Sequence, residues 1–72
     1  MLYVVTMPGC VRCAARLAEI VTEGRAYVEV NGDNLRQTKD GAPLPHVVHW
    51  ALLAELTFHN YVVPVEVEMS EA

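Results

Sequence analysis

Leu2-Tyr3-Val4-Val5-Thr6-Met7-Pro8-Gly9-Cys10-Val11-Arg12-Cys13 is the stretch that decides the fold. An apolar run leads into a Pro-Gly turn, and the turn delivers a CxxC to the start of a helical segment. Leu2 to Thr6 is apolar on both faces, which suits a central strand covered from both sides. A helix opening at Cys10 directs its unsatisfied N–H groups and its positive dipole end at the first cysteine, favouring thiolate over thiol. Cys13 returns to the same side one turn later. The two sulfurs then fall within bonding range, since a disulfide needs Cα atoms roughly 4.4 to 6.8 Å apart. Strand, tight turn and CxxC at a helix start is what dithiol redox chemistry requires.

Working outward, the first helix is expected from about Cys10 to Glu23. Arg12, Arg16, Glu19 and Glu23 form one stripe, and Ala14, Leu17, Ile20 and Val21 line the other side. Gly24 stands where a left-handed C-terminal cap belongs. Ala26 to Val30 alternates as a second strand. Asn31 to Pro45 is polar and rich in Gly, Asn, Asp and Pro, and reads as an extended loop with turns at Asn31-Gly32 and Asp40-Gly41. Leu35 to Lys39 is open to either a helical turn or a short hairpin. A second helix is expected from about Pro45 to His59, with Pro45 at the first helical position. Val47, Trp50, Ala51, Ala54 and Phe58 share one face, Val48, Leu52 and Leu56 a second apolar strip, and His46, His49, Leu53 and Thr57 a narrow exposed stripe. Tyr61 to Glu68 closes the chain as a strand, with Val63, Val65 and Val67 on one side and Pro64, Glu66 and Glu68 on the other. The fold class is α/β: β1-α1-β2-α2-β3 with a three-stranded mixed sheet, β1 central, β2 parallel to it, β3 antiparallel, and helices on opposite faces. The right-handed crossover rule sets the hand of the β1-α1-β2 unit.

The chain has 72 residues, 53% hydrophobic and 19% charged, with a formal net charge of -4. It reads as one domain over residues 1–72. A domain of about 60 to 70 residues buries only about 60% of its unfolded surface, so support from a partner, a metal or a second copy would be natural. Both cysteines lie in the CxxC, whose loop is too short to stabilise much through chain entropy. There is no basic-flanked apolar leader and no run of the roughly 18 apolar residues a membrane span needs, so a cytoplasmic location is expected, with no membrane partner. The acidic balance and scattered basic residues argue against nucleic acid.

Tyr3 to Ala15 resembles the strand, Pro-x-Cys-x-x-Cys turn and first helix of the glutaredoxin branch of the thioredoxin-like superfamily. The Cys-Val-x-Cys form followed by Ala15 and Gly24 is most similar to NrdH-type redoxins, small electron donors to ribonucleotide reductase. Glu55-Leu56-Thr57 followed by Val63-Pro64-Val65 resembles the family's helix end and Thr-Val-Pro segment, and the resemblance implies a cis Val63-Pro64 bond beside the CxxC. The two blocks cover roughly half the chain. Met7 stands where the family carries a lysine, and Val62-Val63-Pro64 replaces Thr-Val-Pro. The family's fourth strand and third helix, with the residues that hold glutathione, have no counterpart, so a C-terminally shortened form is expected.

The expected site is therefore Cys10 as nucleophile and Cys13 as resolving thiol, with Pro8, Arg12, Val63 and Pro64 bordering a substrate groove. The function is thiol–disulfide exchange on protein disulfides, using the Cys10–Cys13 pair and no metal or organic cofactor. The partners are a disulfide-bearing protein and a reductase or low-molecular-weight thiol. Two other readings stay open: a binding module on the same scaffold, and a zinc-stabilised mini-domain using Cys10, Cys13, His46 and His49, whose H-x2-H spacing is shorter than usual. Trp50 reads as core. The apolar excess of the second helix calls for a symmetric homodimer, or for a monomer whose loop 31–45 folds over the patch.

Overall fold

The computed structural model describes residues 1–70. The elements run β1 (Leu2–Thr6), α1 (Val11–Thr22), β2 (Tyr27–Asn31), α2 (His46–Phe58) and β3 (Val65–Glu68). The sheet order is β2-β1-β3. β1 pairs parallel with β2, Val4 opposite Glu29, and antiparallel with β3, Val5 opposite Val65. The α/β class, the element order and the mixed three-stranded sheet are as the sequence predicts.

Alternation along β1 divides the interior between the two faces. Leu2 and Val4 point to one side, where Ile20 of α1 completes a buried cluster with Leu17 and Tyr27 packed against it. Val5 points to the other side and meets Val30, Leu35, Val48, Leu52, Leu56 and Val65. The helices thus cover opposite faces, and the central strand is enclosed. Ile20, Leu52, Val4, Val5 and Val30 are fully buried, each stabilising the fold by about 1.5–3 kcal/mol relative to an exposed side chain.

Several local expectations are corrected. β2 starts at Tyr27 and reaches Asn31, one residue later than its alternation indicates. Pro45 is the N-cap of α2, one step before the first helical position. β3 starts only at Val65. Asn60 and Tyr61 have φ of 55° and 62°, and the Tyr61 N–H donates to the Leu56 carbonyl at 2.8 Å. These left-handed residues wind the chain off the end of α2, so Tyr61 to Val63 is a turn and not strand. In the loop, both expected turns form, and the hairpin lies further along than Leu35 to Lys39. Gln37 bridges Pro43, and the Lys39 N–H donates to the Glu29 carbonyl at 2.9 Å, which fastens the loop to the outer edge of β2. Leu35 anchors it in the core.

The larger correction is which side of α2 faces inward, with a smaller one at Val21 on α1. On α2, Val48, Leu52 and Leu56 are the core strip, whereas Val47, Trp50 and Phe58 are exposed. Trp50 is therefore not core. Leu53 packs against the core and His49 is half-buried, so the stripe expected to be exposed is only partly so. On α1, Cys13 and Ile20 are buried while Val21 is exposed. No helix among the described residues is long and apolar enough to cross a membrane.

Candidate active site

The turn between β1 and α1 is closed by the Cys10 N–H donating to the Met7 carbonyl at 3.2 Å. Gly9 sits within it at φ +76°, a backbone region that a side chain would strain. Cys10 is the N-cap of α1, with extended backbone. Its Sγ accepts from the Cys13 N–H at 3.1 Å, so the sulfur takes the place that a serine or aspartate oxygen fills in an ordinary cap. Cys10 and Cys13 are joined as a disulfide with Cα atoms 5.2 Å apart. Cys10 is half-buried and Cys13 is 2% exposed. Cys10 is therefore the more exposed of the two cysteines, and Cys13 lies behind it.

A groove of about 420 Å³ runs beside the pair. Met7, Pro8, Cys10 and Val11 form one part of its lining, and Thr6, Glu29 and Lys39 another. The Thr6 hydroxyl donates to Glu29 Oε2 at 2.7 Å, and Lys39 Nζ lies 3.3 Å from the same oxygen. Sequence reasoning missed this polar trio. The parallel register sets Glu29 beside Val4, two residues from Thr6, and the loop brings in Lys39. Nothing in the spacing of the three residues signals their meeting.

Of the sequence-predicted site residues, Pro8, Cys10 and Cys13 share this groove, and Arg12, Val63 and Pro64 do not line it. Arg12 is exposed. Val63 packs against the α2-side core. The Val63-Pro64 bond is cis. It immediately precedes Val65, the partner of Val5, and so lies at the end of the sheet that carries the CxxC turn. Among the described residues no group of three or more His, Cys, Asp or Glu side chains is placed to hold a metal ion. Cys10 and Cys13 line the groove just described, whereas His46 and His49 line a separate cavity with Arg36 and Leu44.

Compared with protein-family models, with curated proteins and with solved structures, the chain matches none. The small α/β architecture, the mixed three-stranded sheet and the Cys10–Cys13 pair are compatible with a thioredoxin-like fold.

Proposed function

We propose that this protein is a small redoxin of glutaredoxin-like character that reduces protein disulfides. One observation carries the reading: a CxxC disulfide at the N-terminus of a helix, with the first cysteine the more exposed of the two and the second buried. In the reduced protein, the Cys10 thiolate attacks one sulfur of a substrate disulfide. The other substrate sulfur leaves as a thiolate and takes up a proton. Cys13 loses its proton and attacks Cys10 Sγ, which expels the second substrate thiol and closes the Cys10–Cys13 disulfide. Two electrons pass to the substrate, and a reductase or low-molecular-weight thiol returns them. Neither step needs a metal or an organic cofactor. Pro8 and Val11 line the groove together with Cys10, and Val63-Pro64 and Arg12 are proposed to contact substrate from outside it. Ribonucleotide reductase is the substrate that the NrdH-type resemblance nominates, and the cytoplasm is the matching compartment.

The test is reduction of insulin and of a glutathione mixed disulfide by the wild-type protein, Cys10→Ser and Cys13→Ser. The reading expects turnover by the wild type, none by Cys10→Ser, and a trapped mixed disulfide on Cys10 in Cys13→Ser. A disulfide that reforms and is reduced normally, yet never transfers electrons to either substrate, would favour the non-catalytic binding module.

A further inference from the structure

Val47, Trp50, Ala54 and Phe58 form a single stripe on α2, because steps of three and four residues return to one side of a helix. The stripe lies opposite the buried Val48, Leu52 and Leu56. Val47 is 64%, Trp50 60% and Phe58 79% exposed, and Ala54 is exposed between them. A helix that is apolar all round belongs in an interior. The loop does not supply the cover: it lies along the outer edge of β2 and inserts Leu35 into the core on the inner side of α2.

We propose that the cover is a second copy of this chain, with two α2 helices packed antiparallel about a two-fold axis at Ala54. In that arrangement positions equally spaced on either side of Ala54 meet, so Trp50 faces the partner's Phe58 and Ala54 faces its own counterpart. The stripe is large–small–large and complements itself under the rotation. The small central residue lets the helix axes approach, and the aromatic pairs close both ends.

Charge points to the same occupant. The chain carries a net charge of -4, so a carboxylate-bearing face would repel its own copy. The stripe has no charged residue. The single carboxylate of α2, Glu55, lies off the stripe and 3.4 Å from His59. Docking there brings no like charges together. The area is also of the right order. At these exposures Val47, Trp50 and Phe58 offer roughly 400 Å² of apolar surface, about half of the roughly 800 Å² per partner in a standard interface, which leaves the rest to a surrounding rim. His46 and Thr57 flank the stripe as a polar margin.

The proposal is independent of the redox reading, and Cys10→Ser is expected to associate as the wild type does. Sedimentation under reducing conditions, from low to high micromolar concentration, should give twice the 8.0 kDa chain mass, with Trp50 emission shifting to the blue as the dimer forms. Ala54→Glu and Ala54→Lys each place two like charges on the axis, and each alone should sediment as a monomer with an unchanged circular dichroism spectrum. Mixing the two should restore the dimer through the opposed charges. Phe58→Ser provides a second monomeric variant. A wild type that stays monomeric throughout, a dimer that survives Ala54→Glu, or a mixture that fails to recover would each overturn the proposal. So would a monomer in which Trp50→Ser raises the KM for a protein disulfide, because the stripe would then serve another protein.

Discussion

Arg16 on α1 grips Glu66 on β3, with Nε 2.5 Å from one carboxylate oxygen and Nη2 3.0 Å from the other. The two residues are fifty positions apart, and the pair ties the helix that carries the cysteines to the far edge strand. Arg16 Nη1 also donates a hydrogen bond to Glu19 Oε1 at 3.4 Å. The fork is bidentate, the geometry in which a guanidinium recognises a carboxylate best. It also explains how a glutamate sits half-buried on the α1 face of the sheet. The Arg16 hydrogen bond holds the Glu66 carboxyl below its ordinary range, and Glu66 in turn holds the guanidinium charged.

A pH dependence follows with a definite sign. The folded state lowers the Glu66 pKa, so the pair's contribution is present above the ordinary value of 4.5 and is lost as pH falls through the lower folded value. Urea unfolding should therefore find Glu66→Gln less stable than wild type at neutral pH, with the gap closing in acid. An equal gap at neutral and strongly acidic pH would show that the carboxylate charge is irrelevant.

Neighbouring apolar residues on α1 should behave very differently. Ile20 is 0% exposed and Val21 61%. Ile20→Ala removes a fully packed side chain and should cost about 2–5 kcal/mol, whereas Val21→Ala should stay within about 0.5 kcal/mol of wild type. Denaturant midpoints check both, and similar losses at the two positions would refute the observed facing of the helix.

Thr6 offers a test of the polar trio beside the cysteines. Thr6→Val keeps the shape and removes the hydroxyl that donates to Glu29 at 2.7 Å. The expected loss is about 1 kcal/mol, since Glu29 keeps Lys39 as a partner. A variant as stable as wild type would mean that water replaces the hydroxyl without penalty.

Gly24 caps α1 at φ +73°, and a Cβ built there meets nothing within 4 Å. Gly24→Ala should then destabilise by about 1 kcal/mol from backbone conformation alone, with no steric contribution. A gain in thermal midpoint would show that the helix end relaxes to another cap.

In the reduced protein Cys10 should be alkylated faster than Cys13 at neutral pH, because it is the more exposed residue and occupies the helix cap. Mass mapping of briefly iodoacetamide-treated protein measures this, and preferential labelling of Cys13 would reverse their roles.

The element order, the sheet and the CxxC at a helix start were legible because they rest on local signals: β-branched runs, a Pro-Gly turn, and Gly24 where a helix must stop. Other features depended on what the rest of the chain supplies. The two apolar strips of α2 are equivalent by hydropathy, and only packing against Val5, Val30 and Val65 selects Val48, Leu52 and Leu56 as the inner one. The length of β3 had no local signal either, because Asn60 and Tyr61 unwind the helix through left-handed backbone that alternation does not register. The polar trio of Thr6, Glu29 and Lys39 and the Arg16–Glu66 fork join residues from different elements. Short-range sterics and capping thus determine this protein's elements from the sequence by itself. The inward faces and the charged partners of the site are decided only when the strands fall into register, because neither exists as an interaction until distant segments share a surface.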